Sequence, residues 1–446
     1  MFIARAPGRL DVMGGIADYS GALVLELPLA CATWALVQRQ AVRRCDVATR
    51  RDGRWHTFSM DLDALLGVLA QPEALHDWIL GRDLDRWPAY PLGVLQYCLQ
   101  RAGPAAAQQG FKVLLDSTVP EGKGIASSAA VEVACLTALA ASCGYATEAA
   151  ALAAACQWVE NHVVGAPCGI MDQMTSACGQ HGRLLRLRCQ PGTIEGHAAV
   201  PDGLRLFGVD SGVRHAVTGA DYGTVRTAAF MGYRMIAEAA GLAATPDGSG
   251  VRVADPQWGG YLANISPTVF GARYATRLPE RMAGSDFLSH YGGITDTVTS
   301  VRPDREYPVR AATAHPVHEQ ARVERFAALL GESDVRTAAA ELGELMYASH
   351  ASYGACGLGS GATDRLVAMV REAGPARGLF GAKITGGGSG GTVAMLGTAD
   401  AEPVVRELAA RYAAEAGCGG AVFAESGPGA AEAGVRVVQP AELAAL

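Results

Sequence analysis

The residue types that bind phosphate groups occur together in a glycine- and serine-rich segment at residues 120–130. Gly122 and Gly124 follow an apparent strand, and Ser127 and Ser128 begin an alanine-rich helical run. Glycines let the backbone approach a ligand closely, and the first helical turn offers unpaired N–H groups to an anion. Serine hydroxyls there can contact phosphate oxygens or a hydrated Mg²⁺. The alternative is an ordinary glycine turn with a serine cap. The segment matches neither the Walker-type pattern G-x-x-x-x-G-K-[ST] nor the dinucleotide-binding pattern G-x-G-x-x-G.

Two carboxylates, Glu160 and Asp172, lie twelve residues apart on either side of a glycine–proline break at 165–167. Phosphoryl transfer needs a metal clamp on the phosphates, donors around them, and a carboxylate that orients or deprotonates the acceptor hydroxyl. Together with the glycine-rich segment, these two residues would supply that set. Most acidic side chains are simply solvated, so the spacing alone leaves both interpretations open.

Three further segments carry residues with alternative interpretations. Arg9 would hold a reacting carboxylate ionised and stabilise transferred phosphate charge, or it forms a surface ion pair. A second glycine tract at 386–391 either wraps a phosphate or forms a tight hairpin. His315 and His318 flank Pro316, which we expect to break the helix that a zinc motif needs, so both histidines are assigned structural roles.

The composition is that of a globular protein and excludes several classes of partner. Half of the 446 residues are hydrophobic, and 44 acidic against 37 basic residues give a net charge of −7. Without a basic stripe carrying aromatics, no nucleic-acid partner is expected. Eleven scattered cysteines lack C-x-x-C spacing, which favours a reducing cytosol over a disulfide framework. The most apolar stretch, 22–37, contains Glu26 and Pro28 and cannot span a membrane, and the start of the sequence lacks a leader pattern. The expected location is cytoplasmic.

The hydrophobic patterns predict a mixed α+β architecture, because strands and helices occur without a strict βαβ repeat. A polar, proline-containing turn at 199–203 is the expected boundary between a first domain, 1–200, and a second domain, 201–446. The first forty residues are predicted to be rich in strands. The alanine-rich run at 128–164 is predicted to form two helices that separate at Gly144. The other predicted elements are strands at 183–188 and 204–209, and helices at 92–99, within 128–164, and at 225–239, 317–330 and 338–350.

Taken together, the motifs resemble those of the GHMP kinases, the family of galactokinase, homoserine kinase, mevalonate kinase and phosphomevalonate kinase. The three family motifs occur in order, at 6–19, 120–130 and 381–392. Two more segments, 165–173 and 210–215, resemble signatures of the galactokinase branch. The resemblance implies an N-terminal domain like the second domain of ribosomal protein S5 and a ferredoxin-like C-terminal domain. ATP and a sugar would bind in the cleft between them.

The resemblance also implies roles for individual residues. Asp172 takes the position of the catalytic aspartate and Arg9 that of its arginine neighbour, while Ser128 and Glu160 match the Mg²⁺ ligands. The matched ATP-binding residues are Trp87, beside adenine, and Pro120, Gly122, Gly124, Ser127, Ser128, Gly387 and Gly388. The matched sugar-binding residues are Arg9, Asp18, Gly169, Asp172 and Tyr222.

The sequence departs from the galactokinase pattern at the turn that contains Asp18. Galactokinases have Gly-Glu-His-x-Asp-Tyr where this chain has Gly-Gly-Ile-Ala-Asp-Tyr at 14–19. The missing Glu and His are associated with the hydroxymethyl end of the sugar, so their absence puts galactose in doubt. A second departure, Ala126, removes one hydroxyl from the glycine-rich segment.

The resemblance therefore implies an ATP- and Mg²⁺-dependent kinase that phosphorylates the anomeric hydroxyl of L-arabinose. D-galactose is the alternative substrate, and a non-catalytic sugar- and ATP-binding regulator is the alternative class. The expected partner is a free monosaccharide, and the expected assembly is a monomer or a weak homo-oligomer.

Overall fold

A computed structural model describes residues 1–51, 53–67, 69–81, 86–214, 220–332 and 334–439. Strands and helices are mixed throughout, which confirms the α+β expectation. The strands are β1 (Phe2–Met13), β2 (Leu23–Gln40), β3 (Arg44–Arg51), β4 (Arg54–Asp61), β5 (Gly110–Ser117), β6 (Arg183–Arg188), β7 (Thr193–Ala199), β8 (Leu204–Asp210), β9 (Ala244–Asp247), β10 (Gly250–Val253), β11 (Met282–Ala283), β12 (Glu306–Tyr307), β13 (Leu379–Ile384), β14 (Thr392–Thr398), β15 (Val422–Phe423) and β16 (Arg436–Val437).

The helices are distributed between and after these strands. They are α1 (Leu62–Leu66), α2 (Pro72–Leu80), α3 (Ala89–Ala102), α4 (Ser127–Cys143), α5 (Ala149–Val159), α6 (Met171–Cys178), α7 (Ala220–Ala239), α8 (Pro267–Arg273), α9 (Gly284–Tyr291), α10 (Val309–Leu329), α11 (Val335–Ala355), α12 (Gly361–Ala373), α13 (Glu402–Ala416) and α14 (Ala430–Ala433). Within the described residues, no helix is both long enough and apolar enough to cross a membrane.

The first sheet is organised by the long strand β2. Residues 33–40 of β2 pair with β5, and residues 23–26 of β2 pair with β6. Strand β1 pairs antiparallel with β2 over most of the length of β2. The strand order is β16-β1-β2-β5-β3-β4, with only β3 and β5 parallel among these pairs, and β7 pairs with β6. Alternating apolar residues of these strands pack against α3, α4 and α5. The segment that follows β5 passes beside β1, because an added Cβ on Gly8 would lie 3.0 Å from the side chain of Val119.

The second sheet is smaller and antiparallel, with the order β13-β14-β8-β15. Its outer face packs against α12 and α13, through residues such as Leu366 and Leu408. A further apolar cluster contains Leu10 from β1, Leu206 from β8 and Phe326 from α10, so the two sheets share a core. Strand β16 pairs with β1 and returns the end of the described chain to the first sheet. The division into domains at residue 200 stays a prediction.

The predicted elements are confirmed in type, and most are close in extent, although α10 begins eight residues before the predicted helix at 317–330. The strand at 183–188 has the predicted bounds, and the two helices within 128–164 separate at Gly144, which has φ +64°. The second of these helices ends in a π-helical turn, Glu160–Val164, that the sequence pattern did not indicate. Single π-helical turns occur often at functional sites, and this one contains a residue of the predicted metal site.

The expectation that Pro316 breaks its helix is wrong. Helix α10 continues through Pro316 from Val309 to Leu329. A proline inside a helix costs about 3 kcal/mol, but Val317 and Phe326 of α10 are fully or almost fully buried. Burial of these side chains outweighs the local penalty. His315 of the same helix is buried and shares a 2.7 Å hydrogen bond with the Ser352 hydroxyl.

A buried ion pair connects the first strand to the second glycine tract. Lys383 Nζ on β13 lies 2.7 Å from Asp11 Oδ2 on β1, and both side chains have zero exposure. The backbone N–H groups of Gly15 and Gly386 donate to the same carboxylate at 3.1 and 3.3 Å. The Asp11 N–H donates to Thr385 Oγ1 at 2.8 Å. Asp11 therefore fixes both the turn after β1 and the tract after β13.

We expect Lys383→Met to lower the free energy of unfolding by about 3–5 kcal/mol, because Asp11 would remain as an uncompensated buried charge. The double variant Asp11→Asn/Lys383→Met should recover part of that loss. The matched control is Arg377→Met, which removes an exposed pair with Glu407 and should cost at most about 1 kcal/mol. Urea unfolding measures all three variants, and equal losses for the two single variants would contradict the role of the buried pair.

Candidate active site

The first glycine segment forms a loop in left-handed conformations that leads into α4. Gly122 and Gly124 both have φ +69°, and Ala126 has φ +60°. Such values cost glycine little, but they strain an alanine. Helix α4 then begins at Ser127, so its first N–H groups have no partner within the helix. The loop and helix start have the geometry that binds anions.

The second glycine tract packs against this loop. An added Cβ on Gly386 would lie 2.7 Å from the Gly124 carbonyl oxygen, and one on Gly391 would lie 2.8 Å from the Lys123 carbonyl oxygen. Thr392 Oγ1 donates to that Lys123 carbonyl at 2.9 Å. These positions require glycine because the two backbones touch. The predicted residues Gly387 and Gly388 lie in this tract, half-buried and buried respectively.

Arg9 joins the glycine loop to the predicted catalytic carboxylate. Its Nη1 donates to the Gly124 carbonyl at 2.6 Å, while Nε and Nη2 lie 3.0 and 2.8 Å from Asp172 Oδ1. The Glu26 carboxylate lies 3.3 Å from Nε on the buried side. Although burial opposes the charge, Asp172 and Glu26 raise the pKa of Arg9. The Arg9 side chain is 2% exposed, so the surface ion pair is excluded.

The local backbone explains why Arg9 reaches the loop. Pairing between β1 and β2 shifts register between Pro7 and Arg9, an irregularity that re-aims side chains. The Arg9 N–H donates to the Ile125 carbonyl at 3.1 Å. An added Cβ on Gly8 would lie 2.8 Å from that oxygen, so glycine permits the loop to rest on β1.

Asp172 and Glu160 lie beside a buried polar cluster. Gln173 Nε2 donates to Glu160 Oε2 at 2.5 Å and to Glu132 Oε2 at 3.3 Å. Burial raises the pKa of Glu160 to about 7; Asp172 adds to the rise and a hydrogen bond from Ser128 opposes it. Burial and the neighbouring Glu160 also raise the pKa of Glu132. Ser128, Glu132 and Glu160 are thus close together.

This cluster fits a divalent cation. Glu132 Oε1 and Gln173 Oε1 are buried and have no hydrogen-bond partner in the described chain. Mg²⁺ prefers oxygen ligands and is commonly held by one or two carboxylates together with substrate phosphates. Over the described ranges no group of three or more His, Cys, Asp or Glu forms a metal site made by protein alone. The Glu160 carboxylate and the Ser128 hydroxyl are oxygen ligands of the kind used in sites where protein and substrate phosphates hold Mg²⁺ together.

The predicted sugar residues also meet. Asp18 is 3% exposed, and an added Cβ on Gly169 would lie 1.6 Å from Asp18 Oδ2, so the loop before α6 packs on that carboxylate. Burial raises the pKa of Asp18 to about 7; Asp172 adds to the rise and Arg226 opposes it. The Tyr222 ring meets the Tyr19 ring edge-on, with centroids 5.7 Å apart.

The two remaining predicted residues lie at the margin of the site. Pro120 is half-buried at the start of the glycine loop, and Trp87 is half-buried against the first core just before α3. Burial and Glu160 raise the pKa of Tyr90, three residues beyond Trp87. The beginning of α3 therefore lies near the Glu160 cluster.

Several residues of the site were not found from the sequence. Glu26 could have been found from the sequence, because it lies within an apolar strand and a buried charged residue almost always has a partner. Glu132 lies one helical turn after Ser128, which places both on one face of α4. Three others had no local signal: Arg226, its ion-pair partner Asp296, and Tyr353, whose hydroxyl accepts from the Ile16 N–H. The residues missed are Glu26, Glu132, Gln173, Arg226, Asp296, Tyr353 and Lys383.

Comparison with known proteins defines the class to which this fold and site belong. Residues 89–180 match the GHMP kinases N terminal domain, and residues 329–414 match the GHMP kinases C terminal family. The chain belongs to the GHMP kinase family and has its two-domain fold.

Individual relatives come from the sugar-kinase part of the family. The chain is 39% identical to L-arabinokinase of Arabidopsis thaliana over 97% of its own length and 46% of that protein, so it spans about half of this relative. It is 30% identical to galactokinase of Streptomyces coelicolor, over 88% of the chain and 83% of the relative. Galactokinase of Lactococcus lactis, solved with galactose, has the same fold, with a TM-score of 0.72, 20% identity, and coverage of 98% of this chain and 95% of that one.

The raised pKa of Asp18 predicts how stability depends on pH. The folded protein holds a proton on this carboxyl up to about pH 7, whereas the unfolded chain releases it near its ordinary value. Stability from this group is therefore lost as pH rises from about 4 to 7. In Asp18→Asn, the fall in Tm between pH 5 and pH 8 should be smaller than in the wild type by a few degrees. The control is Asp202→Asn in an exposed turn, and identical pH profiles for all three proteins would contradict the assignment.

Proposed function

We propose that the chain is an ATP- and Mg²⁺-dependent sugar 1-kinase that transfers the γ-phosphoryl group to the anomeric hydroxyl of L-arabinose. The observation that carries the proposal is the position of Arg9, which contacts Asp172 and the Gly124 carbonyl through one guanidinium. Arg9 thereby holds the Asp172 carboxylate, which would act on the acceptor hydroxyl, at a fixed distance from the glycine loop, which would bind the phosphates. This is the arrangement that phosphoryl transfer needs.

The roles follow from position. Asp172 accepts or orients the proton of the sugar O1, and Arg9 fixes its orientation and offsets its charge. Loop N–H groups and the start of α4 bind the phosphates, and Ser128 and Glu160 would hold the metal. When bound, Mg²⁺ would neutralise charge on the phosphate oxygens. Asp18, Gly169 and Tyr222 bind the sugar.

The choice of L-arabinose rests on the turn after β1. An added Cβ on Gly15 would lie 1.6 Å from Tyr353 Oη, and Ile16 is fully buried in the same apolar cluster as Tyr353. The Tyr353 hydroxyl accepts from the Ile16 N–H at 3.0 Å and donates to the Gly386 carbonyl at 3.0 Å. No acidic side chain fits at residue 15, so the Glu of the galactokinase pattern is absent from this turn. The alternative is that Gly15 and Ile16 only shape the turn and that another side chain contacts the sugar O6. L-arabinopyranose has the ring hydroxyls of D-galactose without the C6 hydroxymethyl group.

The similarity to L-arabinokinase supports the same substrate, and the similarity to galactokinases makes D-galactose the second candidate. A soluble monosaccharide is the proposed partner. A panel of free sugars with ATP and Mg²⁺ tests the proposal, and ATP consumption separates an enzyme from a sugar-sensing regulator. Absence of ATP consumption with every sugar would contradict the kinase assignment.

We expect kcat/KM for L-arabinose to exceed that for D-galactose by roughly 5- to 150-fold. The 6-hydroxyl of galactose would lose a hydrogen-bond partner on binding, which costs about 1–3 kcal/mol, and crowding would add to the difference. Initial rates for both sugars at saturating ATP give the ratio. Equal constants, or a preference for galactose, would assign the chain to galactokinases instead.

Asp172→Asn preserves the shape of the side chain but removes its charge and basicity. We expect kcat to fall by roughly 10²- to 10⁴-fold, the usual contribution of a general base, while ATP binding is retained. Asp202→Asn, in an exposed turn, is the matched control and should keep wild-type turnover. Near-normal turnover in Asp172→Asn would remove this residue from the mechanism.

A further inference from the structure

Arg226 of α7 is a buried arginine that bridges two segments distant in sequence. Its Nε and Nη2 each lie 2.8 Å from an oxygen of Asp296, and its Nη1 donates to the Cys168 carbonyl at 2.9 Å. The side chains of Arg226 and Asp296 are 7% and 4% exposed. A bidentate pair of this kind fixes both the position and the plane of the guanidinium.

Asp296 is itself held rigidly. It accepts from the N–H groups of Val298 and Thr299 at 3.3 and 3.2 Å, and from Thr299 Oγ1 at 2.6 Å. Asp296 lies between α9 and β12, outside both segments that match the family domains, which are 89–180 and 329–414. Arg226 also lies outside both segments, so neither residue of the pair belongs to a part of the chain that a family model matches.

The Cys168 carbonyl connects Arg226 to the sugar half of the site. Cys168 directly precedes Gly169, which packs on the Asp18 carboxylate. The Arg226 guanidinium also lies 5.6 Å from the centroid of the Tyr19 ring, next to Asp18. Tyr222 lies one helical turn before Arg226 on α7, so both face the same region.

We propose that the Arg226–Asp296 pair is a positioning device for the sugar half of the site, setting the loop at 167–169 against Asp18. Its kinetic consequence rests on the proposed function, whereas its structural consequence does not. In the described chain Arg226 and Asp296 do not contact the glycine loop, and Arg226 approaches the Ser128–Glu160 cluster through Cys168, whose thiol lies 3.8 Å from Gln173 Nε2 and hydrogen-bonds to Glu160. The direct contacts of the pair are on the sugar side, so we expect a larger effect on the sugar than on ATP.

The charge of Arg226 has a second effect on Asp18. This carboxyl faces Asp172 from α6, Arg9 from β1 and Arg226 from α7. The phenols of Tyr19 and Tyr222 and the thiol of Cys189 also interact with it. Because Arg226 lowers the pKa of Asp18, its removal should raise that pKa and leave less of the ionised form near neutral pH.

The test compares Arg226→Met, Arg226→Lys and Asp296→Asn with a matched control, Arg234→Met. Arg234 is also on α7 and is 8% exposed, but it pairs with Glu238, away from the loop. In Arg226→Met we expect hydrogen exchange in a peptide covering 165–170 to rise by about tenfold or more. The KM for L-arabinose should rise roughly 10- to 100-fold, as misplacement of a binding loop does, while the KM for ATP changes by less than about threefold.

The lysine variant supplies the second readout. The acid limb of the pH profile of kcat/KM for the sugar should move to higher pH in Arg226→Met, and Arg226→Lys should restore its position in part. Should Arg226→Met fail to fold, Arg226→Lys and Asp296→Asn carry the exchange and kinetic measurements. The proposal would be overturned if Arg226→Met had the same hydrogen exchange and the same KM for L-arabinose as Arg234→Met. An equal rise in the KM for L-arabinose and the KM for ATP in Arg226→Met would also overturn it. A wild-type protein that phosphorylates neither sugar would refute the proposed function alone, because the exchange experiment would still decide this inference.

Discussion

The buried ion pair between Asp11 and Lys383 is the constraint on which the site depends. It joins β1 to β13 with no exposure of either side chain, so neither strand can shift without leaving a charge unpaired. Arg9 lies two residues before Asp11 on β1 and therefore on the same face of the strand. Fixing β1 against β13 fixes Arg9 relative to both glycine segments. The position of Asp172 then follows from its contact with Arg9.

The surroundings of that pair contain more buried acids than bases. Burial and repulsion from neighbouring carboxylates raise the pKa values of Asp18 and Glu160 to about 7, and they hold the pKa of Glu26 well above its usual value. Such perturbed groups concentrate at functional sites, because a ligand that brings positive charge or donors relieves the repulsion. A divalent cation beside Glu160 and sugar hydroxyls beside Asp18 would each do so. Asp18 and Glu160 both interact with Asp172, so the proposed sugar and metal positions share this carboxylate as a neighbour.

Local signals account for what the sequence could predict. The glycine loop, the start of α4 at Ser127 and the strand at 183–188 depend on residues near in sequence, and each is found where expected. The partners of these elements could not be found in that way. Tyr353 fills the space beside Gly15 from 338 residues further along the chain, a contact that only the assembled helices α10 and α11 create. Pro316 was misjudged for the same reason, because burial of α10 overrides local propensity.

The central chemical proposal is transfer of the phosphoryl group to the anomeric hydroxyl, beside the carboxylate that Arg9 holds. The regiochemistry of the product tests this proposal most directly. Phosphorus NMR of a reaction with L-arabinose, ATP and Mg²⁺ should show a sugar phosphate whose phosphorus signal couples to the single proton on C1. A phosphate attached at another carbon, or release of inorganic phosphate without a sugar phosphate, would contradict phosphoryl transfer to the anomeric hydroxyl.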